Sequence, residues 1–233
     1  METAIMTRAE LARIIDHTLL EPEATETDIA RLCREAGELG VHSVCISPSR
    51  LPLAPGLLAP GIAVDSVVGF PSGAHLPPVK AAEAAAAVAA GANEVDMMID
   101  LANACEDRWA PVTAEVAAVR AAIGPAIVLK VILETAVIGL ARIEPACRAA
   151  EHGGADFVKT STGFHPAGGA SVEAVRAMAA VVGGRLGVKA SGGIHTAESA
   201  LAMVAAGATR IGASATEKIL DGLRPLAEAT ERG

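Results

Sequence analysis

The sequence predicts an α/β fold, a (β/α)8 TIM barrel that forms one domain over residues 1–233 with a short N-terminal helix. Three observations support this prediction. Short runs rich in β-branched residues occur eight times, Ala- and Glu-rich stretches of helical length separate them, and no linker rich in Pro, Gly and Ser divides the chain. Eight strand–helix units in 233 residues fit a closed barrel better than a doubly wound open sheet.

The predicted strands are short and almost continuously apolar, as expected where helices cover a parallel sheet. In chain order they are residues 14–18, 43–47, 65–70, 94–99, 128–133, 157–160, 187–190 and 210–213. The helices predicted between them are residues 27–39, 78–90, 111–122, 144–152, 172–182 and 197–206. Four of these helices are followed by a glycine that we predict to form a left-handed cap, namely Gly40, Gly91, Gly153 and Gly207.

The composition argues against several classes of function. Aromatic residues make up 2% of the chain and the net charge is -8, so stacking on bases and binding along a phosphate backbone are both disfavoured. No basic leader with an apolar core is present, and no apolar stretch reaches the length of a membrane span. The 4 cysteines lack metal-ligand spacing. We therefore expect a cytoplasmic protein with reduced thiols and no nucleic-acid or membrane partner.

Three lysines interrupt predicted strands: Lys130 in VLKVI, Lys159 in FVKTS and Lys189 in GVKAS. Any one of these side chains could point outward and extend to solvent along a helix. Three of them, on strands whose outer faces are covered by helices, instead predict a polar barrel interior. Burial and neighbouring ammonium groups lower the pKa of a lysine there. An uncharged amine attacks a carbonyl to give an imine, which is the chemistry of a class I aldolase.

Three carboxylates could serve such a site, namely Asp16, Asp96 and Glu134. Asp96 stands inside the apolar run EVDMMID, where an exposed loop aspartate is not expected. It could form a fixed salt bridge with a barrel lysine, transfer protons, or do both. Asp100 and Asp156 are predicted to lie in loops or at helix edges, without a catalytic role.

Two loops of small residues predict an anion-binding site. The segment ASGGI (190–194) follows the seventh predicted strand, and the segment GAS (212–214) ends the eighth. Glycine allows backbone N–H groups to approach a phosphate closely, and the N-terminus of a following helix favours negative charge. The loops after strands seven and eight are a frequent phosphate site in this fold.

Together these motifs resemble the deoxyribose-phosphate aldolase family, whose members are class I, Schiff-base aldolases. The similar segments are IDHTLL (15–20), VCISP (44–48), VVGFPSG (67–73), NEVDMMID (93–100), LKVILET (129–135), DFVKTSTGF (156–164), VKASGGIHT (188–196) and RIGAS (210–214). The resemblance implies a lyase that reversibly cleaves 2-deoxy-D-ribose 5-phosphate to D-glyceraldehyde 3-phosphate and acetaldehyde. It also implies a cytoplasmic homodimer that needs no metal and no cofactor.

The same resemblance implies roles for individual residues. Lys159 would be the Schiff-base lysine, and Lys189 would donate and accept protons and tune the basicity of its neighbour. Asp96 would partner Lys189 and shuttle protons through a water. The substrate-binding residues implied by the resemblance are Asp16, Thr18, Cys45, Lys130, Thr160, Thr162, Gly163, Gly192, Gly193, His195, Gly212 and Ser214.

The sequence departs from the family pattern at three points. His195 stands in GGIHT where GGIRT is common, Ala215 stands where a second serine is frequent, and no tyrosine matches the C-terminal one of some members. The first two departures bear on phosphate binding and the third on proton transfer. Two alternatives share many of these features: a class I aldolase or transaldolase that takes a ketose, and a non-catalytic barrel that binds phosphosugars.

Overall fold

The computed structural model describes residues 6–223, which form a closed barrel of eight parallel strands. The strands follow one another around the barrel in chain order, and the last one pairs with the first. They are β1 (Ile15–Leu19), β2 (Ser43–Ile46), β3 (Ala63–Val68), β4 (Glu94–Met98), β5 (Val128–Ile132), β6 (Phe157–Lys159), β7 (Gly187–Ser191) and β8 (Arg210–Ala213). The predicted barrel is confirmed, and each strand lies within two residues of its predicted bounds.

Ten α-helices are assigned within residues 6–223. They are α1 (Arg8–Ala12), α2 (Glu26–Leu39), α3 (Pro77–Ala89), α4 (Leu101–Cys105), α5 (Trp109–Ile123), α6 (Thr135–Ile138), α7 (Ile143–His152), α8 (Val172–Val182), α9 (Ala197–Ala205) and α10 (Thr216–Asp221). The six longer predicted helices are confirmed to within two residues. Helices α4, α6 and α10 have four to six residues each. They were missed because so short a segment shows no helical periodicity. Within residues 6–223 no helix is both long and apolar enough to cross a membrane.

The predicted glycine cap at the end of α7 is wrong. Gly153 has a φ of -75°, and the left-handed residue is its neighbour Gly154, with a φ of 92°. A Cβ atom on Gly153 would lie 2.5 Å from Cβ of Val116 in α5, so this glycine serves close packing of two helices. The other predicted positions, Gly40, Gly91 and Gly207, do have positive φ angles.

The apolar core lies mainly between the strands and the surrounding helices, whereas the charged residues of the strands point to the other side, into the barrel. Along β4, the apolar side chains of Val95 and Met97 belong to this core, and those of Glu94 and Asp96 do not. Because successive side chains of a strand point to opposite faces, Glu94 and Asp96 point into the barrel. The same alternation on the other strands turns lysine and carboxylate side chains toward one another. The low aromatic content fits this arrangement, since Ala, Val, Ile and Leu fill the core.

Candidate active site

The carboxylate of Asp96 contacts three buried ammonium groups. Its Oδ1 atom lies 2.8 Å from Nζ of Lys130, and its Oδ2 atom lies 2.7 Å from Nζ of Lys159 and 2.6 Å from Nζ of Lys189. These four residues come from β4, β5, β6 and β7, and the contact between β4 and β7 crosses the barrel. The three lysines of the predicted strands therefore meet at one carboxylate in the barrel interior.

Further charged groups complete this arrangement. Nζ of Lys189 lies 2.5 Å from Oδ2 of Asp16 and 3.1 Å from Oδ2 of Asp65. Nη1 of Arg210 donates to Oδ1 of Asp16 at 2.8 Å and to Oε2 of Glu94 at 3.0 Å. We call these eight residues the charge cluster: Asp16, Asp65, Glu94, Asp96, Lys130, Lys159, Lys189 and Arg210. Every one of them is buried.

The expectation that the barrel lysines lower one another's pKa is wrong for two of them. Burial disfavours the ammonium form of Lys189, but the charges of Asp16, Asp65 and Asp96 outweigh burial, and the pKa of Lys189 lies well above its ordinary value. Burial acts in the same way on Lys130, and the charges of Asp65 and Asp96 again raise its pKa. Both lysines therefore keep their protons at neutral pH, because Asp65 joins the predicted carboxylates Asp16 and Asp96 around them.

Three of the carboxylates are held in the ionised form. Burial favours their neutral form, but the lysine charges outweigh it, so the pKa of Asp16 and that of Asp96 lie well below the ordinary range. For Glu94, burial is likewise outweighed, here by a hydrogen bond from His42 and by the charge of Lys130, which lowers its pKa to about 2. Asp65 behaves differently, because burial and the charge of Asp96 raise its pKa.

Lys159 differs from the other cluster lysines because it lines an open cavity of about 260 Å³ at the carboxyl ends of the strands. Its side chain is 3% exposed. Within residues 6–223 it forms one ion pair, with Asp96. Active sites of this fold lie at that end of the barrel. The predicted substrate-binding residues that also line the cavity are Thr18, Thr162, Gly163, Gly192, Gly193, His195, Gly212 and Ser214.

Four predicted substrate-binding residues do not line this cavity. Asp16 and Lys130 are fully buried members of the charge cluster. Cys45 is also fully buried, and burial raises the pKa of its thiol well above the ordinary value. Thr160 exchanges hydrogen bonds with the backbone of Ser191, donating at 3.1 Å and accepting at 3.0 Å. A direct contact of these four residues with substrate remains a prediction.

The loops after β6 and β7 pack backbone against backbone. Gly192 and Gly193 have φ angles of 86° and 77°, which favour glycine. A Cβ atom on Gly169 would lie 2.2 Å from the carbonyl oxygen of Gly192, so a larger residue there would displace the loop. The carboxylate of Glu134 accepts a hydrogen bond of 2.5 Å from Oγ1 of Thr162. Glu134 thus anchors the loop after β6 and does not line the cavity.

His195 is exposed and lies at the cavity wall. His195 does not cap α9, since Oγ1 of Thr196 accepts the capping hydrogen bond from the backbone N–H of Ser199 at 3.2 Å. Asp100 caps α4, and Asp156 accepts a hydrogen bond of 2.8 Å from the backbone N–H of Leu129. Both have the structural positions predicted for them.

In the described part of the chain, two sets of side chains come close enough together to surround a cation. They are Asp16 with His42 and Glu94, and Cys45 with Asp65 and Asp96. The carboxylates of both sets are already paired with lysine or arginine side chains. A metal ion would have to compete with those fixed positive charges, so the donor sets fit ammonium and guanidinium groups better than they fit a metal.

Comparison with known proteins agrees with this geometry. Residues 11–223, which include every strand of the barrel and the whole charge cluster, match the family described as DeoC/LacD family aldolase. The chain belongs to this aldolase family. The resemblance noted in the sequence is thereby confirmed, and so is the expectation that the protein is an enzyme of the lyase class.

Individual aldolases of the family are similar over nearly the whole chain. The deoxyribose-phosphate aldolase of Kocuria rhizophila is 60% identical over 219 residues, which cover 94% of this chain and 99% of that protein. The crystal structure of a putative deoxyribose-phosphate aldolase from Coccidioides immitis is 41% identical, with a TM-score of 0.89 over 93% of this chain and 87% of that one. A deoxyribose phosphate aldolase from Aeropyrum pernix, described as tetrameric, is 36% identical with a TM-score of 0.85 over 94% of this chain and 93% of that one.

Some residues of the aldolase site were not recognised in the sequence. Leu20, Glu21 and Phe164 line the cavity, and Asp65, Glu94 and Arg210 belong to the charge cluster. These three members of the cluster stand in the first half of their strands, where charge is usual. The signal that could have identified them is strand alternation, which turns Glu94, for example, to the same face of β4 as Asp96. The cavity residues lie in loops, whose conformations follow no periodic pattern.

Proposed function

We propose that this chain catalyses the reversible cleavage of 2-deoxy-D-ribose 5-phosphate to D-glyceraldehyde 3-phosphate and acetaldehyde through a Schiff base on Lys159. The observation that carries the proposal is the position of Lys159, whose amine lies between the charge cluster and the open cavity. The relatives at about 60% identity, which are named for this activity, support the choice of substrate.

The first chemical step is attack of the Lys159 amine on C1 of the open-chain sugar. The carbinolamine loses water to give a protonated imine, which is an electron sink. Before the attack, Nζ must release a proton. Asp96 contacts Nζ of Lys159 and Nζ of Lys189 through the same oxygen. Because Lys189 already carries its proton, the proton of Lys159 leaves past this carboxylate to water in the cavity that Lys159 lines. Since its pKa is held low, Asp96 guides the proton without keeping it.

Cleavage then breaks the C2–C3 bond. A base removes the proton of the C3 hydroxyl group, the electron pair of the C2–C3 bond moves into the imine, and glyceraldehyde 3-phosphate leaves. The remaining enamine takes a proton at carbon, and water hydrolyses the resulting imine to release acetaldehyde and the free amine. Lys189 supplies the proton, because it keeps its charge and lies beside Asp96. Proton transfer of this kind contributes typically about 10²–10⁴-fold to the rate.

The phosphate group of the substrate has a suitable place between the loops after β7 and β8. Gly192, Gly193 and Ser214 line the cavity there, and the glycines expose backbone to an anion. His195 stands at the same wall and adds a side chain that can donate a hydrogen bond. In the proposed binding mode, the aldehyde end of the sugar points toward Lys159 and the phosphate end points toward these loops.

Trapping with borohydride tests this function. Acetaldehyde should form an imine with Lys159, and borohydride should reduce this imine to a secondary amine. Because a secondary amine of this kind does not hydrolyse, two carbons stay on the peptide that bears Lys159. Labelling by dihydroxyacetone phosphate instead of acetaldehyde would indicate an aldolase or transaldolase that takes a ketose. No labelling by either carbonyl compound would indicate a barrel that binds phosphosugars without catalysis, and would contradict the proposal.

His195 gives a prediction about phosphate recognition. In His195→Arg, a permanently charged guanidinium with five N–H donors replaces an imidazole ring with two nitrogens. At pH 8 we expect the ratio of kcat/KM for 2-deoxyribose 5-phosphate to kcat/KM for 2-deoxyribose to rise about tenfold. The control is His152→Arg, the same change at an exposed histidine of α7. An unchanged ratio would mean that His195 does not contact the phosphate.

We also propose that the protein works in the cytoplasm as a homodimer on small phosphosugars and aldehydes. Four free cysteines support a reducing compartment. The dimer follows from the resemblance to dimeric members of the family, and the tetrameric relative from Aeropyrum pernix is the alternative. Sedimentation velocity of the purified protein distinguishes the two assemblies by mass.

A further inference from the structure

Asp65 is a fully buried carboxylate that the mechanism above does not use. It lies on β3, where its backbone is in register with Cys45 on β2 and Glu94 on β4. Its Oδ2 atom lies 3.0 Å from Nζ of Lys130 and 3.1 Å from Nζ of Lys189. It does not line the cavity, so any effect on the reaction must pass through another residue.

We propose that Asp65 is a positioning residue for proton transfer, which holds Lys189 against Asp96 and sets the pH range in which Lys189 can donate. The proposal rests on the function proposed above, in which Lys189 protonates the enamine. Asp65 is not among the site residues predicted from the sequence, and the resemblance to the family implies no role for it.

The contacts of Lys189 explain why Asp65 has this effect. Three carboxylates from three strands surround its Nζ atom, namely those of Asp16, Asp65 and Asp96. Asp16 is also bound by Arg210, and Asp96 is shared with Lys130 and Lys159. Asp65 contacts neither Arg210 nor Lys159 in the described part of the chain. Its removal therefore weakens the hold on Lys189 and leaves the contact between Lys159 and Asp96 in place.

The charges around Asp65 make it the carboxyl group of the cluster that accepts a proton most readily. The acidic groups that face it or share its lysine partners are Cys45, Asp16, Glu94 and Asp96. The positive groups are Lys130, Lys159, Lys189 and Arg210. Burial and the charges of Asp96 and Asp16 raise the pKa of Asp65, whereas the pKa values of Asp16, Glu94 and Asp96 are lowered.

The charge of Asp65 then controls the neighbouring ammonium group. Ionised Asp65 favours the charged form of Lys189, which keeps its proton to a higher pH. A neutral side chain at the same place removes one counter-charge, so Lys189 loses its proton at a lower pH. Removal of an opposite charge at this distance lowers the pKa of an ammonium group by about one to three units. Proton donation by Lys189 should therefore fail at a lower pH when Asp65 is neutral.

The test uses Asp65→Asn, which keeps the shape of the side chain and removes its charge. The readout is the enzyme-catalysed exchange of the methyl hydrogens of acetaldehyde with D2O, followed by proton NMR from about pH 6 to 10, because this exchange needs the imine and the enamine but no phosphate. We expect exchange by the parent to persist to the alkaline end of this range, because the pKa of Lys189 lies well above its ordinary value. In Asp65→Asn that pKa falls by about one to three units, so exchange should become at least about tenfold slower toward the alkaline end. Borohydride trapping on Lys159 should stay within about twofold of the parent.

Ser66→Ala is the matched control, since Ser66 is the next residue of β3, is also fully buried, and donates to the carbonyl oxygen of Ile46 outside the charge cluster. Its exchange profile should equal that of the parent. An unchanged profile in Asp65→Asn would overturn the proposal. A uniform loss of exchange and trapping without a pH shift would also overturn it, because that result indicates a general structural role.

If Asp65→Asn does not fold, Asp65→Glu decides. Glutamate keeps the charge but moves the carboxyl group by one methylene, so a positioning residue predicts slower exchange with trapping retained. Exchange equal to that of the parent would overturn the proposal. The proposed function fails differently, because in that case the parent protein itself would show no trapping on Lys159 with acetaldehyde.

Discussion

Replacement of Lys159 by arginine is expected to lower kcat for 2-deoxyribose 5-phosphate cleavage by about 10⁴-fold or more. A guanidinium can keep the ion pair with Asp96, but it stays protonated and cannot attack a carbonyl. Since every step of the reaction proceeds through the imine, no later step can compensate. Steady-state kinetics and borohydride trapping with acetaldehyde measure the effect directly.

Lys218→Arg is the control for this substitution. Lys218 is an exposed residue of α10 that does not line the cavity, so the same change there should leave kcat and labelling unchanged. Peptide mapping of the trapped parent protein gives a second check that needs no variant. Label on Lys130 or Lys189, or label that persists in Lys159→Arg, would show that another amine forms the imine.

The next-largest expected effect concerns Lys189 and Asp96 as a pair. We expect Lys189→Met and Asp96→Asn each to lower kcat by about 10²–10⁴-fold, and the double variant to be little slower than the slower single variant. The reason is that the two groups meet at 2.6 Å and act on the same proton, so that loss of either stops the transfer. The four kcat values of the double-mutant cycle give the coupling between them. Independent losses that add in free energy would contradict a shared role.

The chain offers a matched control for the cost of breaking a buried ion pair. Lys80 on α3 and Glu115 on α5 form a second buried pair, with a distance of 2.6 Å between Nζ and Oε2, outside the barrel interior. Loss of one partner of such a pair costs about 3–5 kcal/mol of stability. Lys80→Met and Glu115→Gln should therefore lower the Tm by an amount comparable to the catalytic-pair variants, while kcat stays near the parent value. A similar loss of kcat in both sets would mean that the effect at Lys189 and Asp96 is destabilisation.

Sequence reasoning identified the barrel from its eight strand–helix units, and the centre of the site from the charged residues that interrupt the strands. A charged residue within an apolar strand is costly to bury, so Lys159, Lys189 and Asp96 are conspicuous within their strands. The partners of these residues were harder to identify. Which carboxylate meets which lysine depends on the stagger between strands, and the contact between Asp96 and Lys189 joins strands that are far apart in the chain.

The wrong expectation that the barrel lysines lower one another's pKa also arose because the partners of these lysines could not be predicted. Counting lysines in strands suggested an excess of positive charge, whereas Asp65 and Glu94 are also turned into the barrel and balance it. The cavity wall was only partly predictable. Small residues marked the loops after β7 and β8, but Glu21 and Phe164 reach the cavity through loop conformations that no periodic pattern encodes.

Closure of the barrel has a consequence for how the chain is made. The strand that seals it, β8, is the last one in the described chain, and it brings Arg210 to Asp16, a residue 194 positions earlier. A ribosome adds residues from the N-terminus, so a growing chain that has emerged as far as β7 has two open strand edges, on β1 and β7, and an aspartate without its guanidinium partner. Such edges can pair with other chains. Translation of this protein therefore includes an interval, ended by the last strand, in which chaperones have an unpaired edge to protect.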